Sequence, residues 1–281
     1  MDKLSSFKAI KSIIKYELKW DLRKMKIYIS ISIVTALSLL VTIYMGSIVH
    51  IVNKGNYWLN SLTFLSSSIF LFLMGAPVTM NAISGEFESG TIIPLLSKPV
   101  SRTEVYFGKA IASFLIILME MILLGIILAV VSSIIMGPQN DLYQLGIYVL
   151  TLAASTMVYA SFTMMLSALT KNSLASILGA FGVMFGIMIG ISIYELVYSP
   201  QTWFITLPFI GTDSFTNTTI SAFKNPNALY VLSLERTRNS TILSNITNLQ
   251  ASLISFGFTI VYIFLFLIIG WIVFKKSDIK E

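Results

Sequence analysis

Residues 83–109 read ISGEFESGTIIPLLSKPVSRTEVYFGK, a polar stretch set between two strongly apolar ones. Its punctuation decides how the chain is arranged. Gly90 can take the left-handed conformation that closes a helix, and Thr91 can cap a new one. Pro94 falls in the first turn of that helix, where a missing N–H costs nothing. Ile92, Ile93, Leu95 and Leu96 give the segment Thr91–Lys98 an apolar face, and Pro99 stops it. Ser101 and Glu104 then form the pattern of a capping box, in which the serine caps forward and the glutamate reaches back. The stretch predicts a helix end, a short amphipathic helix and the start of a long helix. Such a surface suits docking.

Composition sets the environment. Of 281 residues, 56% are hydrophobic and 11% charged, and mean hydropathy is +0.83. Soluble domains carry about 25% charged residues, so most of this chain belongs where charge is excluded. Cysteine is absent, which removes disulfides, thiolate metal sites and cysteine nucleophiles. The single histidine, His50, leaves little for imidazole metal sites or catalytic triads. Residues 1–26 are polar and basic for too long to form a cleavable signal, so the first span is expected to stay as an anchor.

Six apolar segments, near 27–49, 59–83, 105–136, 144–169, 174–198 and 251–274, each suffice for the roughly 20 residues a bilayer requires. The chain is therefore predicted to be an all-α polytopic membrane protein, one transmembrane domain over 1–281. Residues 1–26 precede the spans with Phe7, Ile10, Ile14, Leu18 and Leu22 on one face and Lys8, Ser12, Lys15, Lys19 and Arg23 on another. That pattern predicts a basic amphipathic helix on the lipid surface, anchored by Trp20, in preference to a nucleic-acid arm. The third span is longer than one crossing needs, so its first turns should project into water from Ser101. Pro77 should bend the second span near its inner end.

Basic residues set the orientation. With the N-terminus inside, fifteen of the nineteen lysines and arginines fall on that side; only Lys54, Lys224, Arg236 and Arg238 fall outside. Both termini and the 84–104 loop are thus expected in the cytoplasm of a cell-membrane protein. Trp20, Trp58, Trp203 and Trp271 all fall at predicted span edges. The 199–250 segment is extracytoplasmic, apolar at first and then polar. It suits short helices dipping into the outer leaflet beneath a small lid. It holds three N-x-S/T sequons, at Asn217, Asn239 and Asn245, which are glycosylation candidates in a host with that machinery.

Within the spans, Glu120 is the costly residue. It is either part of a substrate or proton pathway or a structural group bonded to Tyr148, Ser155, Thr156 or Tyr159 of the fourth span, the commoner case. Gly182, Gly186 and Gly190 form a smooth strip for helix packing within the chain or between subunits. His50 and Glu195 read as interfacial groups. No H-E-x-x-H, Cys-His or Walker pattern is present: Gly108-Lys109 is followed by Ala110, and Thr103 stands where the first Walker glycine belongs. No metal site is expected. Any nucleotide energy must be supplied by another chain.

The run from Glu86, Glu88, Gly90 and Thr91 through Leu95, Leu96, Pro99, Val100, Ser101 and Arg102, followed by Gly108 and Lys109, resembles the signature of type-2 ATP-binding-cassette (ABC) transporter permeases. The six-span layout and the large loop before the last span are similar too. Ile92 and Pro94 depart mildly, since leucine commonly follows Gly-Thr in that family. The resemblance implies a half-size exporter-type subunit that pairs with a second permease, identical or related, and with cytoplasmic ATPase subunits. ATP and Mg would bind the ATPase, leaving this chain without a cofactor or enzyme activity of its own. Thr91–Lys98 would be the coupling helix, with Glu86, Glu88 and Arg102 framing it by charge pairs. The N-terminal helix would brace the contact. The expected function is export of a lipid, glycoconjugate, peptide or drug-like molecule. The alternative is a non-transporting mechanotransmitter that passes ATPase strokes to an extracytoplasmic partner.

Overall fold

The computed structural model of the protein describes residues 6–23, 25–48, 54–92, 100–198, 201–234 and 241–277. Helix α1 is Ser6–Asp21 and α2 is Met25–Ile48. A pair follows, α3 at Tyr57–Leu65 and α4 at Ser68–Thr79, then a single turn, α5, at Ser84–Glu88. The long α6 is Arg102–Met136, α7 is Leu145–Thr170 and α8 is Ser173–Val197. Helix α9, Ile210–Lys224, precedes an antiparallel hairpin of β1, Leu229–Leu234, and β2, Thr241–Thr247. Helix α10, Asn248–Lys276, completes the described fold.

Helices α2, α6, α7, α8 and α10 are each long and apolar enough to cross a membrane, and α3 with α4 makes a sixth span if the pair is counted as one. These match the six expected segments. At 35 residues, α6 is about 52 Å long against a hydrocarbon core of about 30 Å, so it projects well beyond one crossing.

The second span departs from expectation. It bends by 60° between α3 and α4, ten residues before Pro77, which lies inside α4. Three consecutive serines account for the break. The Ser66 hydroxyl donates to the Thr63 carbonyl at 2.6 Å and competes with the backbone ladder, and Ser67 turns extended at ψ 144°. In the outer segment short helices were expected in the apolar start and a small lid in the polar part, and that polar part holds α9 and the hairpin. The hairpin strands carry Tyr230, Val231, Thr241, Ile242, Ile246 and Thr247, types that favour pleated backbone.

The core lies where α4, α6, α7 and α10 meet, with α10 packed along both α7 and α9. Gly75 of α4 brings two backbones close, since a Cβ there would lie 2.8 Å from the Thr156 carbonyl oxygen. Helix α8 is held only lightly: its buried residues are Ser176, Ala180 and Met184. A second apolar cluster of Ile83, Ile92, Val105, Tyr106, Met164, Leu267 and Phe274 closes the end of the bundle beneath α1. Lys8, Lys11, Lys15, Lys19, Arg102, Lys171, Lys275 and Lys276 gather at that end, here termed the basic face; the hairpin marks the opposite face. Trp58 is fully buried near the hairpin face, its indole N–H donating to the Asn140 carbonyl at 2.8 Å, and is not an interfacial ring.

Candidate functional site

The basic face is organised around the first turns of α6. Ser101 and Glu104 make the expected capping box, with the Glu104 N–H donating to Ser101 Oγ at 3.2 Å and the Ser101 N–H to the Glu104 carboxylate at 2.7 Å. Two satisfied amides give this helix a firm root. Gly108 then allows α1 to approach, because a Cβ there would sit 2.7 Å from Ile13 Cγ2. Beside it, Lys109 is 4% exposed and donates to Glu17 of α1 at 2.7 Å and to Glu86 at 2.8 Å. The second Glu86 oxygen accepts from the Thr91 hydroxyl. Burial pushes the Glu17 carboxyl above its usual range; Lys109 pulls it back, while Asp21 and Glu86 add to the rise.

Glu88 ties the same loop to α8. Its carboxylate accepts from the Ser173 N–H at 2.6 Å and the Ser173 hydroxyl at 2.7 Å. It therefore sits at the positive end of α8 and meets an amide the helix leaves unsatisfied. The Ser173 amide, then its hydroxyl, hold this exposed carboxyl below its usual range. Lys171, left-handed at φ 53°, places its ammonium 4.9 Å from the Phe87 ring centre. Ser167 Oγ accepts from the Ser84 N–H at 2.8 Å and the Ile83 N–H at 3.2 Å, and Ser84 and Ser173 share a hydroxyl contact of 2.9 Å. Arg102 makes the third tie. Its guanidinium donates to the Ser277, Lys275 and Phe274 carbonyls at 2.7, 3.1 and 3.4 Å, capping the end of α10.

Glu86, Glu88, Thr91, Ser101, Arg102 and Lys109 therefore converge on one junction, and Gly90 has the left-handed backbone expected of it, φ 67°. Leu95, Leu96, Pro99 and the rest of the expected coupling helix after Ile92 lie outside the described residues, as do His50 and Asn239. Glu86, Glu88 and Arg102 are engaged within the chain, because each carries a charge whose nearest complement is a lysine, a helix N-terminus or a helix C-terminus of the same fold. Asn217 sits half-buried on α9 opposite Ser66, and Asn245 is exposed on the hairpin.

Glu120 is 3% exposed, and neither carboxyl oxygen has a hydrogen-bond partner among the described residues. The four hydroxyls expected to serve it are committed elsewhere. Tyr148 bonds Gln144, Ser155 the Thr212 carbonyl, Thr156 the Leu152 carbonyl, and Tyr159 the Phe209 carbonyl and Asp213. A Cβ at Gly182, Gly186 or Gly190 meets nothing within 4 Å, so the strip is not used for packing among the described residues.

Two groups of acids escaped the sequence reading. Glu17 and Asp21 are buried on α1, where the apolar stripe drew attention away from them. The usable signal was their spacing of four from Ile13, and a lysine at 109 needing a counter-charge. Asp213 of α9 receives the hydroxyls of Ser68 and Tyr159. Its signal was the polar face Thr212, Asp213, Thr216, Asn217 at helical spacing in an otherwise apolar region.

The five long apolar helices, the bent α3–α4 pair and the charge-tied loop between α4 and α6 span most of the chain, and residues 12–279 match the ABC-2 family transporter protein. The chain belongs to the ABC-2 family. Its members are membrane subunits of ABC transporters that lack a nucleotide-binding domain, so this ABC-2 protein is a multi-pass membrane subunit whose family implies a separate ATPase partner. It is also similar to the uncharacterized membrane protein YdbK of Bacillus subtilis (strain 168). The two are 23% identical over 221 residues, covering 76% of this chain and 80% of YdbK.

Proposed function

We propose that this ABC-2 protein is the permease of an ATP-driven exporter, engaged by its ATPase through the 84–104 loop on a cytoplasmic basic face. The observation that carries this reading is the way Glu86–Lys109–Glu17, Glu88–Ser173 and Arg102 with the α10 carbonyls tie the loop to four separate helices. A push delivered to Thr91–Lys98 by ATPase closure reaches α1, α6, α8 and α10 together. The capping box roots α6 at Ser101. The charged residues of the loop thus transmit the stroke, and the apolar Leu95 and Leu96 make the contact with the ATPase.

In this reading both termini are cytoplasmic, α1 rests its Tyr16–Trp20 side against lipid of the cell membrane, and a second permease subunit pairs against α8 at Gly182, Gly186 and Gly190. Open strips of small residues suit close helix approach in lipid. Glu120 lines the route taken by a lipid, glycoconjugate, peptide or drug-like substrate, since an uncommitted carboxyl at mid-bundle depth is costly without a role. The hairpin on the opposite face favours a second reading, a mechanotransmitter that moves an extracytoplasmic partner. Reconstitution with the ATPase in vesicles separates the two. ATP-dependent movement of a substrate with no further component supports export and sinks transmission; ATP hydrolysis without movement of any tested substrate does the reverse.

A further inference from the structure

Three departures from ordinary geometry meet toward the hairpin face, away from the ATPase loop. The second span breaks at Ser66–Ser67. Phe209 has φ 69° and ψ −54°, and the Ile210 N–H bonds the Pro208 carbonyl at 2.9 Å. That is the rarer, strained γ-turn, unusual for a bulky L-residue. Gly211 follows because a Cβ there would meet the Ile205 carbonyl oxygen at 2.1 Å. Between the turn and the break stands Asp213.

Asp213 Oδ1 lies 2.5 Å from the Tyr159 hydroxyl, and its other oxygen meets the Ser68 hydroxyl, at the first turn of α4. Tyr159 also reaches the Phe209 carbonyl at 3.2 Å, an oxygen already accepting from the Asp213 N–H and the Thr212 hydroxyl, each at 3.0 Å. A phenol has one hydrogen, so Tyr159 cannot donate to both. With Asp213 ionised, Tyr159 donates to the carboxylate. With Asp213 protonated, the carboxyl donates to Tyr159 Oη, and Tyr159 turns its own hydrogen to Phe209. Oxygens in direct hydrogen-bond contact leave no room for a metal ion between them. Burial also favours the neutral carboxyl, and holds it well above the usual carboxylate range.

We propose that Asp213 is a proton-binding site whose occupancy Tyr159 reads out, clamping the strained Phe209 turn when the proton is bound and releasing it when the proton leaves. The surroundings suit this. Helix α7 contributes Tyr159, and α4 brings no titratable side chain. On α10, Tyr262 is occupied with the Thr206 carbonyl; Tyr230 of the hairpin reaches Ser214; and Lys224 lies eleven residues along α9, at its far end. Among the described residues no lysine or arginine forms an ion pair with Asp213. Proton binding here would couple the outer part of the bundle to the pH on the hairpin side.

The test is infrared spectroscopy of the full chain in lipid nanodiscs, following the carbonyl stretch of protonated carboxylic acids. The wild type should show such a band at neutral pH that Asp213→Asn removes and Glu120→Gln does not. The near-isosteric asparagine keeps both hydroxyl partners, and the amide band reports its fold. Tyr159→Phe should shift the Asp213 band without abolishing it. A wild-type spectrum matching D213N at neutral pH overturns protonation, as does a band lost at the pH of an ordinary carboxylate. An unshifted band in Y159F overturns the readout by Tyr159.

Discussion

Replacing Lys109 by methionine keeps the stem and removes the cation. Glu17 and Glu86 are left facing each other, with side chains 8% and 22% exposed. Breaking a buried pair from one side costs about 3–5 kcal/mol. Glu86 is open enough to rehydrate, so its share falls to about 1 kcal/mol or less. Glu17 escapes part of its share by taking a proton, since burial already raises its carboxyl. The net cost should be about 3 kcal/mol at neutral pH. The pH sign follows from Glu17. Its folded-state carboxyl is raised, so the ionised form is disfavoured by folding. The K109M penalty is therefore small well below the usual carboxylate value and grows as pH climbs above it. Reversible unfolding in mixed micelles measures this, and hydrogen exchange in residues 6–21 localises it to α1. Lys109→Met with Glu17→Leu should regain most of the loss, because an apolar pair of similar volume often matches a buried ion pair. A K109M protein within about 0.5 kcal/mol of wild type, a range typical of surface substitutions, would refute the reasoning. So would a double variant no more stable than K109M alone.

Other outcomes follow from the same junction. Gly108→Leu should lever α1 off α6 at a cost of about 1–3 kcal/mol, with Ile13→Ala restoring part of it; protease cleavage within α1 is the assay. Arg102→Ala should speed hydrogen exchange at residues 274–277 while leaving the middle of α10 protected, and Arg102→Lys should restore little, since a lysine cannot fan across three carbonyls. The Glu88 carboxyl is depressed in the folded state, so the Glu88–Ser173 latch is intact above the usual carboxylate value and opens as pH falls through the lower folded one. Because the chain has no cysteine, spin labels at introduced cysteines near Phe87 and Ala175 can report that widening; a distance still unchanged well below the folded value contradicts it.

The sequence reading located the spans because each is an uninterrupted apolar run, and it located the root of α6 because a capping box is a local pattern. The break at Ser66–Ser67 was harder to see. Proline is the stronger local breaker, but the serines prevail because the Ser66 hydroxyl finds the Thr63 carbonyl inside a dry bundle and the Asp213 carboxyl accepts from Ser68. The site was half legible. Residue types and spacing marked Glu86, Glu88, Arg102 and Lys109 as a unit, but its outside complements lie 85 residues from Glu88 at Ser173, 92 from Lys109 at Glu17 and 175 from Arg102 at Ser277. No local pattern carries that information.

The central claim is that an ATPase drives this permease through the 84–104 loop, and co-purification tests it most directly. Membranes containing the wild-type chain and its ATPase should yield both proteins on an affinity tag placed on the permease. Leu95→Asp with Leu96→Asp should lose the ATPase while the permease inserts and unfolds like wild type. Undiminished recovery of the ATPase with that variant would contradict the account.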